Sequence, residues 1–268
     1  MTLHDGGVRL ADQERIAELA AGVAIAAGEE LLRRWGTATP VGAKTSETDF
    51  VTDADLASES LIRSLLLAER PHDGMLGEEL ASIGGSSGLR WIVDPLDGTL
   101  NFLHGLPQWA VSIAAESRGT PLVGVVHAPA LDVTYSAASG CGAWANGGRI
   151  RGSQTEVLAQ AVIGTGFCYP REARARQVAA IARLLPWVAD VRISGSAAID
   201  LCSAAAGKLD AYCETGLAPY DYAAGALVAS EAGLSVAVPK GEENDWVVAA
   251  PAQLVTALRE VLGPAGGE

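Results

Sequence analysis

The sequence predicts an α/β protein whose two halves differ in rhythm. Two long stretches with helical spacing come first, and several short apolar runs typical of strands follow them. From about residue 155 onward, strands and helices alternate along the chain. Such alternation is typical of layered α/β architectures, so we expect an α+β part over 1–152 and an α/β part over 153–268. No linker-like segment separates the two parts, and we therefore expect subdomains that share an interface.

Two helices are expected in the first half. The alanine- and leucine-rich stretch 12–35 has helical spacing, and Gly36 follows it as a typical residue just beyond a helix end. A second helix is expected over 54–69, where Thr52 or Asp53 would supply the N-terminal cap. Both helices are thus bounded by ordinary start and stop signals.

The middle of the chain predicts a strand-rich sheet with helices packed on one side. The polar segment 37–48 before it is interpreted as an irregular connection, and the glycine- and serine-rich segment 84–88 as a loop tip. Asn146-Gly147 is typical of a tight turn between two strands. The strands of this sheet are expected at 74–76, 90–93, 110–115, 122–127 and 133–137.

The second half predicts a repeated strand–helix order, which favours a sheet covered by helices. The strands are expected at 161–165, 190–193, 209–213, 234–238 and 246–249. The helices are expected at 172–185, 197–206, 220–232 and 252–262.

The charge balance of the chain limits its partners. A net charge of −13 argues against nucleic acid, because phosphate backbones require a basic surface. No apolar run reaches the roughly 18 residues that cross a membrane, and Met1–Gly7 lacks the pattern of a secretory leader. We therefore expect a cytoplasmic protein. For any function that involves a phosphate group, the same acidity raises the question of what supplies the positive charge. A bound divalent cation is one answer.

Several common catalytic chemistries lack their sequence signals. The cysteines have neither a C-x-x-C pair nor zinc-like spacing, so we expect reduced thiols. The histidines show no metal-ligand spacing, and no Walker A motif, nucleophile elbow or complete dinucleotide-binding glycine motif is present. The residues concerned are Cys141, Cys168, Cys202, Cys213, His4, His72, His104 and His127.

The segment from Trp91 to Thr99 is the strongest candidate for chemistry. Its apolar start delivers Asp94 to the carboxyl end of a buried strand, a proline then ends the ladder, and Asp97 follows. Both carboxylates can face one cation, beside backbone N–H groups of Gly98 and Thr99 that open a short helix and can receive a phosphate. Taken alone, the segment is equally compatible with a turn in which Asp97 only caps a helix.

Three further acidic clusters are ambiguous by themselves. Gly77-Glu78-Glu79 follows a short strand and is interpreted either as a solvated edge or as a source of ligands. Asp221 opens an alanine-rich helix, where an acid in the first turn suits the helix dipole, and Glu214 ends the preceding strand. Asp53 and Asp55 straddle a helix start, where capping explains one of them but not both. Each cluster becomes informative only in combination with the others.

Together these clusters resemble the inositol monophosphatase family over nearly the whole chain. Chance agreement of the Asp94 and Asp221 motifs at this separation and in this order is negligible. The resemblance implies a sandwich of alternating α-β-α-β-α layers, a homodimer, and a Mg²⁺-dependent, lithium-sensitive phosphomonoesterase. The motifs are Asp49-Phe50-Val51-Thr52-Asp53-Ala54-Asp55, Gly77-Glu78-Glu79, Trp91 through Phe102, Gly195-Ser196-Ala197-Ala198 and Tyr220-Asp221-Tyr222-Ala223-Ala224-Gly225.

The resemblance also implies a set of metal ligands for two to three Mg²⁺ ions in each subunit. Glu78, Asp94 and the backbone carbonyl of Leu96 would hold the first ion. Asp94, Asp97 and Asp221 would hold the second, and Glu78 would help with a third, weaker one. Paired metal ions of this kind stabilise both the attacking and the leaving oxygen of an in-line displacement.

The remaining implied roles concern water and substrate. Thr99, paired with Asp55, would orient and deprotonate the attacking water that the metal ions activate, and Glu78 is counted with them as catalytic. The N–H groups of Gly98 and Thr99 would bind the phosphate, and Glu214 would face the alcohol. The other residues implied in substrate binding are Asp97, Gly195, Ser196, Ala197 and Asp221.

The choice of phosphate ester is left open by this reasoning. A small polyol phosphate, above all myo-inositol-1-phosphate, is the first hypothesis, and histidinol phosphate is the main alternative. Sugar bisphosphates are more distant, and phosphoadenosine nucleotides least favoured, because no basic or aromatic cluster is apparent near the motifs. Ala218 and Tyr220 depart from the residues common in the family, and Ala218 offers no side chain to a substrate. A catalytically silent interaction protein on the same fold is the alternative from another class.

Overall fold

The structure, a computed structural model, describes residues 10–43, 50–239 and 246–263. The leader prediction for Met1–Gly7 and the motif residue Asp49 lie outside these ranges. The helices are α1 (Leu10–Arg34), α2 (Asp53–Glu69), α3 (Thr99–Leu103), α4 (Arg171–Leu184), α5 (Ala197–Ala205), α6 (Pro219–Glu231) and α7 (Ala252–Leu262). The strands are β1 (Pro40–Ala43), β2 (Phe50–Thr52), β3 (Gly74–Gly77), β4 (Leu89–Asp97), β5 (Ala110–Ser117), β6 (Thr120–Ala128), β7 (Val133–Ala138), β8 (Gly142–Ala145), β9 (Gly148–Ile150), β10 (Val162–Gly164), β11 (Asp190–Arg192), β12 (Ala211–Thr215), β13 (Ser235–Ala237) and β14 (Trp246–Ala250).

Helix ends follow the predicted signals. Thr52 is the N-cap of α2: its hydroxyl accepts hydrogen bonds from the N–H groups of Ala54 and Asp55, and the Asp55 carboxylate accepts one from the Thr52 N–H. Beyond α1, Gly36 adopts a φ of +83°, the left-handed conformation that ends a helix. Of the two predicted caps, Thr52 rather than Asp53 is therefore the one used.

The larger sheet has the strand order β3-β4-β5-β6-β7-β8-β9. Strands β3 and β4 run parallel, and the other neighbours are antiparallel. Asn146 and Gly147, both with positive φ, form the predicted tight turn between β8 and β9. The pairing of β4 with β5 becomes irregular between Asp94 and Asp97. This irregularity falls on the segment that the sequence singled out for chemistry.

The smaller sheet has the strand order β11-β10-β12-β14-β13. Strands β11, β10 and β12 are parallel to one another, β14 pairs antiparallel with β12, and β13 pairs antiparallel with β14. Parallel neighbours with crossover helices are the arrangement that the strand–helix alternation predicted.

The two sheets and the helices stack as α-β-α-β-α layers. Helices α1 and α2 cover one face of the larger sheet, and α4 and α7 cover the outer face of the smaller one. Helices α5 and α6 lie between the sheets, in a core that combines residues of both. The layered fold is confirmed, but the expectation of helices on only one side of the larger sheet is wrong. The second face is covered by helices that come much later in the chain.

One connection differs from its prediction. The segment 37–48 was expected to be irregular, but β1 within it pairs antiparallel with β2 just before α2. The pairing is short and its register shifts between Pro40 and Gly42, so it leaves little hydrophobic pattern in the sequence. Residues 44–48 lie outside the described part of the chain. Among the described helices, none is long and apolar enough to cross a membrane.

Candidate active site

A cavity of about 800 Å³ lies where elements of both halves meet. Its acidic wall consists of Glu78 after β3, Asp94 and Asp97 at the carboxyl end of β4, and Asp221 in the first turn of α6. The carboxyl end of β12 and the starts of α3 and α5 line the cavity as well. Ends of strands and starts of helices expose polar backbone groups, which is why ligand sites of α/β folds form there. The predicted site residues that line it are Glu78, Asp94, Leu96, Asp97, Gly98, Thr99, Gly195, Ser196, Ala197, Glu214 and Asp221.

Asp94 is the most deeply buried acid of the acidic wall, with 2% of its surface exposed. Strand β4 places it there because Trp91 and Val93 are fully buried in the core. One carboxylate oxygen accepts the N–H of Leu96 at 3.0 Å, which bends the chain after Pro95. Burial raises the pKa of Asp94 well above its ordinary value, and the nearby acids, Glu78 first among them, raise it further.

Glu78 reaches Asp94 because their strands run side by side. In the parallel pair β3–β4, Gly77 is in register with Val93, so the next residues, Glu78 and Asp94, emerge together at one edge. The two carboxyl groups share a hydrogen bond, one of the causes of the raised pKa of Asp94. The structure thus brings together two acids that the sequence left ambiguous.

Asp97 connects the acidic wall to the second half of the chain. Its carboxylate accepts hydrogen bonds from the Ser196 hydroxyl at 2.5 Å and the Ala198 N–H at 2.7 Å, both at the start of α5. Burial raises the pKa of Asp97 to about 6, and the hydrogen bonds from Ser196 and Ala198 oppose that rise. The reading of Asp97 as only a local cap is therefore wrong, since its partners lie about a hundred residues away in sequence.

Asp221 enters the site from the first turn of α6. Its carboxylate accepts the N–H of Ala218 at 2.6 Å, so it does cap its own helix, as the local reading suggested. It also lines the cavity, and burial together with Glu78 and Asp97 raises its pKa well above the ordinary value. Capping and a place in the acidic cluster are thus compatible roles for one carboxylate.

Thr99 and Asp55 form the pair that the resemblance implied. The Thr99 hydroxyl lies 3.0 Å from an Asp55 carboxylate oxygen and 3.0 Å from the Leu96 carbonyl, either of which can accept its proton. Asp55 is fully buried, and its other oxygen accepts the N–H and hydroxyl of Thr52. The capping contacts of α2 therefore fix the acid that faces Thr99.

Two glycines allow the backbone to approach the site closely. Gly98 has a φ of +91°, and a Cβ there would lie 2.7 Å from the Gln108 carbonyl oxygen. Gly195 has a φ of +86°, and a Cβ there would collide with Asn101. The Asn101 amide donates to the carbonyls of Gln108 at 2.6 Å and Ser194 at 2.8 Å, and so holds the Ser194 loop against α3.

The floor of the cavity contains two more buried acids. Glu214 accepts the Tyr212 hydroxyl at 2.6 Å, and burial raises its pKa to about 8 although that hydrogen bond lowers it. Asp200 accepts the Ser194 N–H at 3.3 Å, and burial raises its pKa to about 7. Glu214 was predicted, whereas Asp200 was missed because it lies inside α5, two residues beyond the motif Gly195-Ser196-Ala197-Ala198.

Glu59 is a second residue that sequence reasoning missed. It is fully buried on α2, and its carboxylate accepts the N–H groups of Glu79 at 2.7 Å and Leu80 at 3.2 Å. A Cβ on Gly77 would lie 1.9 Å from a Glu59 oxygen, so only glycine leaves room for this contact. Glu59 thereby positions the segment that carries Glu78. Its helical register with Ile62 and Leu66 would have indicated a buried acid.

A basic and aromatic part of the cavity lining was also missed. Phe167, Tyr169, Arg174 and Arg176 line the same cavity, from the loop before α4 and the first turns of that helix. The expectation that no basic or aromatic cluster accompanies the motifs is therefore wrong in the folded protein, where these residues and the motif residues line one cavity. These residues are distant from every motif in sequence, and only the packing of α4 beside β12 brings them in.

The donor set fits Mg²⁺ in its chemistry. Carboxylates and a backbone carbonyl are the hard oxygen ligands that Mg²⁺ prefers. Among the described residues, no Lys or Arg forms an ion pair with Asp94, Asp97 or Asp221, so this buried negative charge requires protons or bound cations. Within the same residues, no group of three or more Asp, Glu, His or Cys side chains already has the arrangement of a preformed metal shell. Binding a cation therefore requires these carboxylates to lose protons and turn toward it.

Comparison with known proteins gives a consistent picture. A model described as the inositol monophosphatase family matches residues 12–262. The chain is 45% identical over 212 residues to an inositol-1-monophosphatase of Mycobacterium leprae, a match that covers 75% of this chain and 72% of that one. It is 38% identical over 225 residues to a protein of Salmonella typhimurium named Nus factor SuhB, covering 81% of this chain and 83% of the other.

Among solved structures, the extragenic suppressor protein suhB from Bartonella henselae is similar over 92% of this chain and 98% of its own. The two share 35% sequence identity, and the TM-score is 0.86. The layered arrangement of sheets and helices is therefore shared over essentially the full length of both proteins.

Proposed function

The chain belongs to the inositol monophosphatase family, and from this premise we propose that it is a Mg²⁺-dependent phosphomonoesterase. Its proposed substrate is a small polyol phosphate, with myo-inositol-1-phosphate first, which it would hydrolyse to the alcohol and inorganic phosphate. The observation that carries the proposal is the convergence of Glu78, Asp94, Asp97 and Asp221 on one cavity beside the Thr99–Asp55 pair.

Metal binding is assigned to the acidic wall. Glu78, Asp94 and the Leu96 carbonyl would hold one Mg²⁺, and Asp94, Asp97 and Asp221 another, with Glu78 assisting a third. When bound, these ions supply the positive charge that a phosphoryl group needs in an acidic protein. The pKa values support this assignment: those of Asp94 and Asp221 are raised, and that of Asp97 is about 6. A bound cation stabilises most strongly those carboxylates whose ionised form is otherwise unfavourable.

Proton transfer is assigned to Thr99 and Asp55. A water molecule that donates to the Thr99 oxygen can lose its proton there while the Thr99 hydroxyl passes its own to Asp55, 3.0 Å away. The new P–O bond then forms as the bond to the alcohol oxygen breaks, the alcohol oxygen takes a proton from solvent, and Asp55 returns the proton that it accepted to solvent. Asp55 suits this role because its second oxygen is already held by Thr52.

Different elements of the fold would contact the phosphate and the alcohol part of the substrate. The N–H groups of Gly98 and Thr99 would bind the phosphate, and Glu214 would face the hydroxyls of the alcohol. The backbone of the loop before α5 adds polar contacts, whereas Ala218 contributes no functional group. These polar contacts on the alcohol side suit the hydroxyls of a polyol better than an aromatic base. The residues of the loop concerned are Gly195, Ser196 and Ala197.

Two alternatives remain distinct from this proposal. Histidinol phosphate would use the same catalytic residues and differ only in contacts to the alcohol. A catalytically silent interaction protein is the alternative from another class, and the relative named Nus factor keeps it relevant. The complete set of carboxylates, with Thr99 and Asp55 in hydrogen-bond contact, supports the enzyme. A homodimer, lithium sensitivity and a cytoplasmic location stay predictions.

Phosphate release with and without chelator tests the proposal. The full chain would be assayed with inositol-1-phosphate, histidinol phosphate, fructose-1,6-bisphosphate and a phosphoadenosine. We expect release from inositol-1-phosphate that requires Mg²⁺ and stops with chelator. Preference for histidinol phosphate would select the alternative enzyme. No release from any ester in Mg²⁺ would reject the enzymatic proposal and favour the interaction protein.

A further inference from the structure

A buried tyrosine beside Glu214 takes no part in the proposed mechanism. The Tyr212 hydroxyl donates to the Glu214 Oε2 at 2.6 Å, and both side chains are buried. Burial and the neighbouring Glu214 raise the pKa of Tyr212 well above its ordinary value, so the phenol keeps its proton and stays a donor. Among the described residues, Tyr212 is the one hydrogen-bond donor to Glu214. The orientation of this acid therefore depends on the phenol.

Two glycines leave the space in which Tyr212 and Glu214 lie. Gly164 is in register with Tyr212 in the parallel pair β10–β12, and a Cβ on Gly164 would lie 3.3 Å from the Tyr212 ring. Glu214 comes two residues after Tyr212 on β12, so both side chains point to the same face of the sheet. A Cβ on Gly166 would overlap the Glu214 Oε2, the oxygen that Tyr212 holds.

The residue between these glycines ties the two chain segments together. The Thr165 hydroxyl donates to the carbonyl of Cys213 at 2.7 Å, and Cys213 lies between Tyr212 and Glu214. Thr165 is buried, so water does not compete for this hydrogen bond. The segment 164–166 is thus fixed against the segment that carries the tyrosine and the acid.

The arrangement leaves one Glu214 oxygen for a ligand. Tyr212 occupies Oε2, whereas the part of the chain that the structure describes gives Oε1 no hydrogen-bond partner. Glu214 lines the cavity with 8% of its surface exposed. Once a ligand excludes water from the cavity, a carboxyl oxygen without a partner is costly, and a hydroxyl of the ligand removes that cost. An apolar alcohol has no such group.

We propose that Tyr212 is a positioning residue for hydroxyl recognition. By holding the Glu214 Oε2, it aims Oε1 at the alcohol part of the substrate, and so makes the site select esters of polyhydroxy alcohols over esters of alcohols without further hydroxyls. The inference rests on the proposed function, which assigns the cleaved phosphate to the acidic wall and the alcohol to Glu214. It deepens that function by naming the side chain that sets the preference for a polyol.

A matched pair of esters tests this role. Inositol-1-phosphate and cyclohexyl phosphate both carry the phosphate on a six-membered ring, but only the first ring has hydroxyls. The readout is the ratio of their kcat/KM values in Mg²⁺, for the wild type, Tyr212→Phe, Glu214→Gln and the double variant. Tyr135→Phe is the matched control, because Tyr135 is a buried tyrosine of the same core whose hydroxyl contacts Lys208 rather than a residue of the site.

We expect the wild type to prefer inositol-1-phosphate and Tyr212→Phe to lower the ratio about tenfold, because a hydrogen bond to a buried acid is lost. The loss should come through a higher KM for inositol-1-phosphate, with little change for cyclohexyl phosphate. Tyr135→Phe should keep the wild-type ratio. An unchanged ratio in Tyr212→Phe, or an equal loss for both esters, overturns the positioning role.

The double variant shows whether Tyr212 acts through Glu214. In Glu214→Gln the ratio should already be low, and adding Tyr212→Phe should lower it little further. Losses that multiply in the double variant overturn the proposal. A wild-type ratio in Glu214→Gln overturns it as well, since Tyr212 would then have no hydroxyl-binding group to position.

Gly166→Ala provides the same test if Tyr212→Phe fails to fold. The added Cβ would push the Glu214 carboxylate away from the Tyr212 hydroxyl, and the backbone of Gly166 is not in the left-handed conformation that favours glycine. We expect a similar loss of the ratio. A Gly166→Ala protein with the wild-type ratio overturns the proposal.

The two proposals fail separately in this experiment. If the wild type releases no phosphate from inositol-1-phosphate or any other ester in Mg²⁺, the proposed function fails. If it hydrolyses inositol-1-phosphate while Tyr212→Phe and Gly166→Ala leave the ratio unchanged, only the positioning role of Tyr212 fails.

Discussion

At the scale of single residues, burial controls the charge state of the cavity. Asp200 and Glu214 are buried without a cationic partner among the described residues, and their pKa values are raised to about 7 and about 8. A buried carboxylate without a cation favours its protonated form. The folded protein therefore binds these protons more tightly than the unfolded chain does, which makes its stability depend on pH.

Asp200→Asn tests this linkage. A raised pKa means that stability present at low pH is lost as the pH rises from about 4, the ordinary value, to about 7, the folded value. Asparagine mimics the protonated acid, so the variant should gain stability over the wild type by up to about 1 kcal/mol per pH unit across this range. Free energies of unfolding in chelator at pH 5 and pH 8 measure it. An identical difference at both pH values would contradict the raised pKa.

Glu59→Gln tests a positioning residue. Glutamine would turn an amide N–H₂ toward the N–H groups of Glu79 and Leu80 or toward Arg63, leaving a donor unsatisfied in a buried site. We expect a loss of about 1–3 kcal/mol in the free energy of unfolding and weaker Mg²⁺ binding by calorimetry, because Glu78 is displaced. Glu69→Gln, at the exposed end of α2, is the matched control. Equal stability of the two variants would contradict the positioning role of Glu59.

At the scale of elements, the position of α6 relative to the larger sheet fixes Asp221. Gly124 on β6 meets α6 so closely that a Cβ there would lie 2.6 Å from the Ala224 carbonyl oxygen. The Ser112 hydroxyl on β5 adds a long contact, 3.4 Å, to the Tyr220 carbonyl beside Asp221. Sheet and helix therefore approach through a glycine, and their spacing sets one side of the acidic wall.

Gly124→Ala should push α6 away from the sheet. We expect a loss of about 1–3 kcal/mol from overpacking and a lower kcat, since Asp221 moves with its helix. Gly22→Ala on α1 is the control, because nothing lies within 4 Å of a Cβ there. That change should be neutral or add up to about 1 kcal/mol. Chemical denaturation and phosphate release measure both, and a Gly124→Ala protein as stable and active as Gly22→Ala would refute the close-contact argument.

Elements with local signals could be predicted from the sequence, whereas elements held by distant contacts could not. The helix over 252–262 and the cap at Thr52 were confirmed, because spacing and capping are local properties. The pairing of β1 with β2 was missed, since it rests on a few backbone hydrogen bonds rather than on a pattern of side chains.

The same distinction separates the site residues. Asp94, Asp97 and Thr99 come from one strand end, and Glu78 and Asp221 gained meaning only in combination with them. Arg174 lies in none of these sequence motifs, so no pattern indicated a place in the site. It enters the cavity because Gln177 ties α4 to β12, a contact between residues 38 apart in sequence. Packing between layers, rather than local propensity, decides which side chains meet there.

At the scale of the whole molecule, the cavity joins two halves that each provide part of it. The first half contributes Glu78, which follows β3, and the acids of β4, and the second contributes Asp221, Arg174 and Arg176. The hydrogen bonds from Ser196 and Ala198 to Asp97 connect the two. A cation bound by acids of both halves should therefore stabilise the folded protein as a unit.

Mg²⁺ should accordingly raise the Tm of the protein, and more at pH 8 than at pH 5.5. The pKa of Asp97 is raised to about 6, so protons compete with the cation below that pH. A stabilisation of about 2.7 kcal/mol corresponds to a free concentration a hundredfold above Kd. Calorimetric scans in Mg²⁺ and in chelator measure the shift. A Tm that is indifferent to Mg²⁺ at both pH values would count against the metal assignment.

The most direct test of the central claim is Asp94→Asn, measured for Mg²⁺ binding by titration calorimetry and for phosphate release from inositol-1-phosphate in the same preparation. Asp132→Asn is the matched control, since Asp132 is exposed and its φ of +51° suits asparagine. The account predicts that Asp94→Asn binds Mg²⁺ more weakly and loses activity by about a hundredfold or more, while Asp132→Asn behaves as the wild type. Near-normal turnover of Asp94→Asn in Mg²⁺ would contradict it.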